Sequence, residues 1–594
     1  MGATRTRRTN GCYGERMSGL SLAERIKIRT LSAEQARRSA LTRALSSPLL
    51  RWRYGSASAD QILIVPQELR AADPSFWFEV ENDHFGLASQ IADLKGASPF
   101  GIVPPSDAWA RELHGFGWLR HLAAAENDDA SDAARQYVLD WIKINRSPRG
   151  IAAEPAVIGR RLMSWIAHAN MLLEGTDAKT YTTIMSSAAE QVVILNATWR
   201  NAPDGVPRMV SLIALVLADL AVSGHDRQIA DAEAALVSEL NRQILDDGGH
   251  VSRNPSVLAD LVLDLLPLGQ CFQARGRQAP EEVGEVCKKA LAFLRFMRLG
   301  DGMLARFNGV STGSPAGLAT VLGYSAGELD AVGSADASGY ARLERGETII
   351  IADTGTPPAL EVATEAQAGA LSFEMTSRAR LIFVNGGFPG PADSSWNSVA
   401  RATASHNTLC LAETSSSRLV RHAKLEGIVG GLPIRGPDMV AARLSDEGGK
   451  AVLAGSHDGY AQRFGLMHFR RIGLSQNGDK VEGIDRLEPP QGRLRLKADL
   501  PYAIHFHLHP DCRCERLPAR GACRILVNDG QVWTFTAEGA DLTIEDGLYF
   551  VDSAGPRPSV QIVLRGATFG ESEIRWRAVG TFATDGLPPL PTKA

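Results

Sequence analysis

Five stretches of the 594-residue chain gather residues able to move protons or hold anions. Asp247-Gly-Gly-His250-Val-Ser-Arg253-Asn254-Pro255 opens a helical pattern that continues through Leu258, Leu261, Val262, Leu265 and Leu266. Free N–H groups and the dipole favour an anion at such a helix start. Arg253 or Asn254 is therefore placed to neutralise a carboxylate, and His250 to act as base or acid. The competing reading is a loop histidine satisfied by backbone and a salt-bridging arginine. Asp301-Gly-Met-Leu-Ala-Arg-Phe307-Asn308 comes next. Gly369-Ala-Leu-Ser-Phe-Glu374 then precedes Ile382-Phe-Val-Asn385-Gly-Gly387, and Arg401-Ala-Thr403-Ala-Ser-His406-Asn407-Thr408 completes the set.

Other signals carry less. Neither a phosphate-cradling GxxxxGK[ST] nor an HExxH motif occurs. Gly309-Val-Ser311-Thr-Gly313 has the spacing of a serine-hydrolase elbow, but it follows loop-like sequence rather than a strand, which favours a chance match. His505, His507 and His509 alternate, so on a strand they share one face with Ile504, Phe506 and Leu508 packed behind. Three ligands on one flat strand suit a tetrahedral metal poorly, and a polar strand face is the favoured reading.

The elements that must position these residues change type along the chain. Ser106 and Ser131 are predicted helix caps, and Pro155 suits a first helical turn. Further helical stretches are expected near 179–197, 208–223, 227–245, 255–269 and 280–299, joined by short Gly- or Pro-bearing turns that imply antiparallel pairs. From about 335 the pattern turns to strands: Tyr340 and Thr348 begin a pair around Arg345-Gly346, Leu371 and Arg380 another, and Asn477-Gly478 and Asn528-Asp-Gly530 mark hairpins. A Gly-, Ser- and Ala-rich linker is expected near 309–336. The predicted architecture is multidomain, α then β: a basic arm over 1–60, an incomplete (α/α) toroid over 61–310 and an antiparallel β-sandwich over 335–594.

Composition is that of an ordinary globular protein, 44% hydrophobic and 22% charged, which excludes disorder, collagen and disulfide-scaffold classes. The net charge of −4 is uneven: residues 1–54 carry twelve Arg or Lys against three Glu, a +9 arm on a −13 body. That distribution speaks against a nucleic-acid binder; the arm reads as a solvated basic helix, with a polyanion or acidic membrane surface as the alternative. Seven scattered cysteines demand no oxidising compartment. No uninterrupted apolar run is long enough to span a membrane; Leu212 to Val222 is broken by Asp219. Arg7-Arg8 lacks the hydrophobic core of an export signal, and Met17 is a second candidate start, so a cytoplasmic location is expected.

From about 105 to 590 the order and spacing of the motifs resemble the heparinase II/III family of polysaccharide lyases, most specifically in Arg401-x-Thr403-x-x-His406-Asn407-Thr408. The resemblance implies a toroid stacked on a β-sandwich with a cleft between them, β-elimination on acidic, uronate-containing polysaccharides, and a periplasmic or envelope location as the alternative. It also implies an Asn-His pair, a Tyr-His pair and a β-domain His as proton-moving groups, with a zinc held by His, Asp and His. Those positions fall here near Val206-Pro207, on Val257-Leu258 and on Glu365 for catalysis, and on Gln367, Asn385 and His406 for zinc. Valine, proline and leucine move no proton, and amides beside one imidazole are poor zinc ligands, so no metal or other cofactor is expected and a neutral hydrogen-bonded cluster replaces the metal. The expected catalytic set is therefore His250, Arg253, Asn254 and Glu365, with Arg208, Asn308 and His406 binding substrate. Arg160, Arg161, Arg200, Arg295, Arg298 and Arg306 are further cations of the helical half. Two other readings stay open: a non-catalytic polysaccharide-binding or envelope-assembly protein, and a glycoside hydrolase needing two facing carboxylates, for which Glu154 and Asp204 are candidates.

Overall fold

Helices in the first half start where side chains or proline satisfy the free backbone groups of the first turn. In the computed structural model, Ser106 Oγ accepts from Trp109 N at the head of Asp107–Gly115. Asn127, rather than the expected Ser131, caps Asp128–Ile144 by accepting from Ala130 N. Pro155 begins Pro155–Ala167. The expected helices follow as Ala178–Thr198, Val206–Ala221, Ile229–Gln243, Ser256–Ala274 and Glu281–Phe296. The structure describes residues 22–45, 59–146, 148–224, 229–311, 315–324, 334–390, 395–490, 498–551, 555–570 and 573–581. The Arg7-Arg8 pair, Met17 and the rest of 1–21 and 46–58 lie outside them.

Val206–Ala221 is the central helix, with nearly every residue from Met209 to Ala221 buried, and it packs against Pro155–Ala167, Ile229–Gln243 and Ser256–Ala274. Close approach to Pro155–Ala167 requires Gly159: a Cβ there would stand 3.1 Å from Ala214 Cβ and 3.2 Å from Val210 O. Ser256–Ala274 is long and apolar enough to cross a membrane by composition, but Leu258, Leu261, Val262, Leu265 and Leu268 are buried in the helical core. The expected linker contains a helix, Pro315–Gly323, whose Leu318 and Val321 join that core; 312–314 and 325–333 are outside the described residues.

The second half is antiparallel. Tyr340–Arg345, Thr348–Asp353, Phe373–Ser377 and Arg380–Phe383 form one four-stranded sheet in sequence order. An eight-stranded sheet runs from Val440–Glu447 through Met467–Leu474 and Lys480–Glu488 to Arg513–Arg516, and another sheet of four includes Pro501–His507. Asn477-Gly478 and Asn528-Asp-Gly530 make the expected hairpin turns, with Gly478 at φ +76 and Gly530 at φ +88. Rings from all three sheets meet between them: Phe373 stacks on Trp576 at 5.8 Å, and Phe506 meets Trp576 edge-on at 4.9 Å. Ile504, Phe506 and Leu508 join this core as expected, while His505 and His507 stack on the other face and His509 lies beyond the strand.

The first sheet also closes the helical core, to which Tyr340 and Ile351 contribute. The two halves therefore share buried surface, and a groove remains open along their junction.

Candidate functional site

The groove has two lobes. One, of about 1260 Å³, runs into the helical half and is lined by Arg70, Glu112, Arg120, Arg160, Asp260 and Asp264. The other, of about 1050 Å³, lies between the halves and is lined by Asp204, His250, Glu361, Glu365 and the N-terminal helix Leu22–Leu45. Both lobes are bordered by Arg111, Ala156, Val157, Val206 and Pro207, a mostly apolar boundary between them termed the neck.

Asn254 and Glu365 do come together. Asn254 Nδ2 donates to Glu365 Oε2 at 2.8 Å, while its Oδ1 accepts from Ser256 N and Oγ at the start of Ser256–Ala274. Burial pushes the Glu365 carboxyl above its ordinary range, opposed by the Asn254 hydrogen bond and by Arg401. A Cβ on Gly309 would sit 2.7 Å from Asn254 Nδ2 and from Glu365 Cβ, so the pair is packed against bare backbone.

His250 lines the second lobe but is already engaged. Its Nε2 meets Gln243 Oε1 at 3.0 Å, so Nε2 carries the proton, and Nδ1 accepts from Ser252 N and Oγ. Burial lowers its pKa to about 4, leaving it neutral. The expected backbone-satisfied loop histidine is thus satisfied mainly by side chains, and neither ring nitrogen is free to take a substrate proton.

Arg253 corrects the expectation of a substrate-facing cation. It stands at φ +60 and turns its guanidinium away from the groove, donating to Ser338 O, Thr356 O, Gly339 O and Asp353 Oδ1. Arg208 is likewise withdrawn, held by Asp204, Glu239 and Ala202 O. Asn308 is buried: Asn308 N donates to Gln367 Oε1, Gln367 N donates to Asn308 Oδ1, and Asn308 Nδ2 reaches Tyr340 OH. His406 is fully buried and lines neither lobe. Arg208, Asn308 and His406 are therefore structural in this geometry rather than substrate-facing. Among the other arginines, Arg160 and Arg306 line the first lobe, whereas Arg161 is buried under Trp141 with its centre 4.0 Å from the ring.

The positions matching the family zinc site do not fit the metal. His406 Nδ1 donates to Ala402 O, which leaves Nε2 as an unpartnered acceptor. Asn385 accepts from Asn407 N and leaves its Nδ2, a donor, unpartnered; Gln367 Nε2 donates to Gly387 O. An amide N–H is no metal ligand, and among the described residues no three His, Cys, Asp or Glu side chains converge to hold an ion. The three side chains bond to backbone groups, of Asn308, Gly387, Asn407 and Ala402, and not to one another as a single cluster.

The sequence reading missed the acids and bases of the first lobe. Asp264 is buried between Arg160 and Arg70, both 2.7 Å away. Asp260 opens onto the cavity yet is surrounded by protein, and that loss of bulk water raises its carboxyl; Glu112 is raised for the same reason. Asp260 and Asp264 stand four apart in an otherwise apolar helix, a spacing that puts both on one face. Also missed was a network within the β half: Asp485 accepts from His468 Nε2 (2.7 Å), Arg470 Nε (2.7 Å) and Trp576 Nε1 (2.9 Å). Burial opposes its charge, but Arg470 and His468 hold the carboxyl well below the usual range.

Residues 328–577 match the heparinase II/III-like C-terminal family model. Over 525 residues the chain is 30% identical to FtsZ-localized protein C of Caulobacter vibrioides (strain NA1000 / CB15N), covering 86% of this chain and 89% of that protein. The chain belongs to the heparinase II/III-like family. The fold agrees over nearly the whole length. A heparinase III crystal structure superposes with a TM-score of 0.67 at 13% identity, covering 93% of this chain and 91% of that one. The heparan sulfate lyase HepC mutant from Pedobacter heparinus gives 0.60 at 13%, covering 94% and 91%. A helical region followed by antiparallel β-sheets, with the groove at their junction, is thus a heparinase III-like fold. In this chain the neck between the lobes presents Val157, Val206 and Pro207 beside Arg111, none of which exchanges a proton at neutral pH.

Proposed function

We propose that this chain is a non-eliminating member of the family, a glycan-binding assembly protein that associates with FtsZ. The observation that carries the reading is the neck. β-Elimination on a uronate needs a base for the C5 proton, a donor for the leaving oxygen and neutralisation of the carboxylate, all converging on one sugar. Val206 and Pro207 stand at the Asn-His positions of the resemblance and Val257 at the Tyr, while His250 is neutral and both its nitrogens are engaged. The groove itself is retained, lined by arginines and carboxylates suited to an acidic, hydroxyl-rich ligand. The association with FtsZ is suggested by the FtsZ-localized relative.

A second reading, uronate lyase, is favoured by Glu365. It stands at the β-domain histidine position, faces the second lobe and has the raised pKa that suits a base. Incubation with a panel of uronate polysaccharides separates the readings. Binding without ultraviolet-absorbing unsaturated ends supports the first; unsaturated ends that disappear in Glu365→Ala support the second; reducing ends without that absorbance support hydrolysis. Co-sedimentation with polymerised FtsZ tests the association, and a chain left wholly in the supernatant counts against it.

A further inference from the structure

The helix Leu22–Leu45 touches both halves and lines one wall of the half-open second lobe. Ile28, 4% exposed, is seated on Val420 and Leu425 of the β half, and Lys27 pairs with Glu361. On the helical side Asn201 Nδ2 donates to Thr42 Oγ1 at 2.8 Å. The face between these anchors presents Gln35, Arg38, Ser39, Thr42 and Arg43 to the cavity. The basic arm is therefore not merely solvated: part of it is a wall of the groove.

The lining of this lobe carries four arginines and four carboxylates, but they do not pair off one to one. Glu154 is paired with Arg111 at 2.9 Å, Asp204 with Arg242, and Glu361 with Lys27. Arg38 is held by Glu34 one turn away, and Glu365 is bonded to Asn254. Two cations remain: among the described residues no carboxylate pairs with Arg43 or Arg149, and both line the cavity. Beside them stand Gln35, Ser39, Thr42 and Thr364, short amides and hydroxyls that exchange hydrogen bonds with sugar hydroxyls.

We propose that the N-terminal helix closes the second lobe into a blind chamber that takes the end of a carboxylated oligosaccharide, with Arg43 and Arg149 on its carboxylates and the rest of the ligand leading through the neck into the first lobe. The inference rests on the glycan-binding reading and adds a ligand length, a polarity and a role for the helix. An internal stretch of a long chain cannot thread through a closed end, so short ligands and chain termini are selected. Charge-assisted contacts from guanidinium to carboxylate supply the selectivity over neutral sugars.

The test is titration calorimetry on the full chain with a uronate trisaccharide, its parent polymer and a neutral trisaccharide. Wild type is expected to bind the uronate trisaccharide at least as tightly as the polymer per chain end, and the neutral sugar about tenfold more weakly or worse. The double variant Arg43→Ala/Arg149→Ala, whose sites are on the surface, is expected to keep the wild-type Tm and lose about tenfold in trisaccharide affinity together with most of its salt dependence. Ile28→Asp, which dislodges the helix from Val420 and Leu425, is expected to shift preference toward the polymer. Unchanged affinity in the double variant, an unchanged length preference in Ile28→Asp, or binding of an acidic peptide in place of the uronate would each overturn the chamber. Wild type binding no uronate at all would remove the glycan reading as well, whereas wild-type binding with indifferent variants would remove the chamber alone.

Discussion

Arg253 Nη2 lies 2.6 Å from Asp353 Oδ1, a buried ion pair between the turn that opens Ser256–Ala274 and the end of a strand in the first sheet. The rest of the guanidinium is spent on three backbone carbonyls of 338–356, and Tyr340 OH donates back to Arg253 O at 2.5 Å. One side chain thus fixes how the helical half meets the β half, and with it the shape of the groove. Burial opposes the charge, and Asp353 more than compensates, raising the Arg253 pKa.

Removing either partner leaves the other charge buried without compensation. Arg253→Ala is expected to cost about 3–5 kcal/mol and to lower Tm by several degrees. Asp353→Ala should do nearly the same, and the double variant should be far from additive, with a coupling of about 1–3 kcal/mol in a denaturant-unfolding cycle. Additive effects would show that the pair does not hold the junction together.

Glu374 sets a pH dependence. It is fully buried and accepts from Arg306 N and Asn385 N, both at 2.8 Å. Burial pushes its carboxyl up to about 7, against Arg306 and those two N–H groups. Because the folded pKa is raised, the contribution is fully present below the ordinary value of 4.5 and is lost as pH rises through about 7. The loss between those limits is about 3 kcal/mol. Glu374→Gln removes the titrating proton, so its stability should be flatter than wild type from pH 4.5 to 7.5 even if lower at the acid end; parallel curves from chemical denaturation would contradict this.

Glu374 and Arg253 also show what could be read from the chain and what could not. Hairpins at Asn477-Gly478 and Asn528-Asp-Gly530 were legible because a tight turn that needs positive φ, here at Gly478 and Gly530, restricts residue choice locally. Helix starts at Ser106 and Pro155 were legible for the same local reason, and Ser131 was misread because Asn127, four residues earlier, offers the same cap. The motif string around His406 identified the family. Side-chain direction was not legible: Arg253 finds its partners 85 to 103 residues downstream, and nothing in Arg253-Asn254-Pro255 tells a ligand-facing cation from a junction staple. Glu365 lines the groove, and a family position rather than a local pattern pointed to it. The walls of the groove were illegible because they come from Leu22–Leu45, the neck and the 361–365 segment together.

The lost metal site yields the last prediction. Gln367, Asn385 and His406 occupy the positions at which the resemblance places His, Asp and His, and His406 already presents an unpartnered Nε2 lone pair in a fully buried setting. Chelation should therefore leave the Tm of wild type unchanged, and zinc added in excess should not raise it. The double variant Gln367→His/Asn385→Asp restores an imidazole and a carboxylate at the two other positions of the resemblance's ligand set. It should lose stability without metal, since it breaks the bonds to Asn308 N and Gly387 O and buries a charge. With zinc it should regain stability by an amount that grows with the free metal concentration, about 2.7 kcal/mol at a hundredfold excess over Kd. Differential scanning calorimetry across a zinc series reads this directly. A double variant indifferent to zinc would mean that the backbone around His406, and not only the ligand set, has departed from the metal-binding geometry. A wild type stabilised by zinc would show that the amide-for-ligand replacement had been misread.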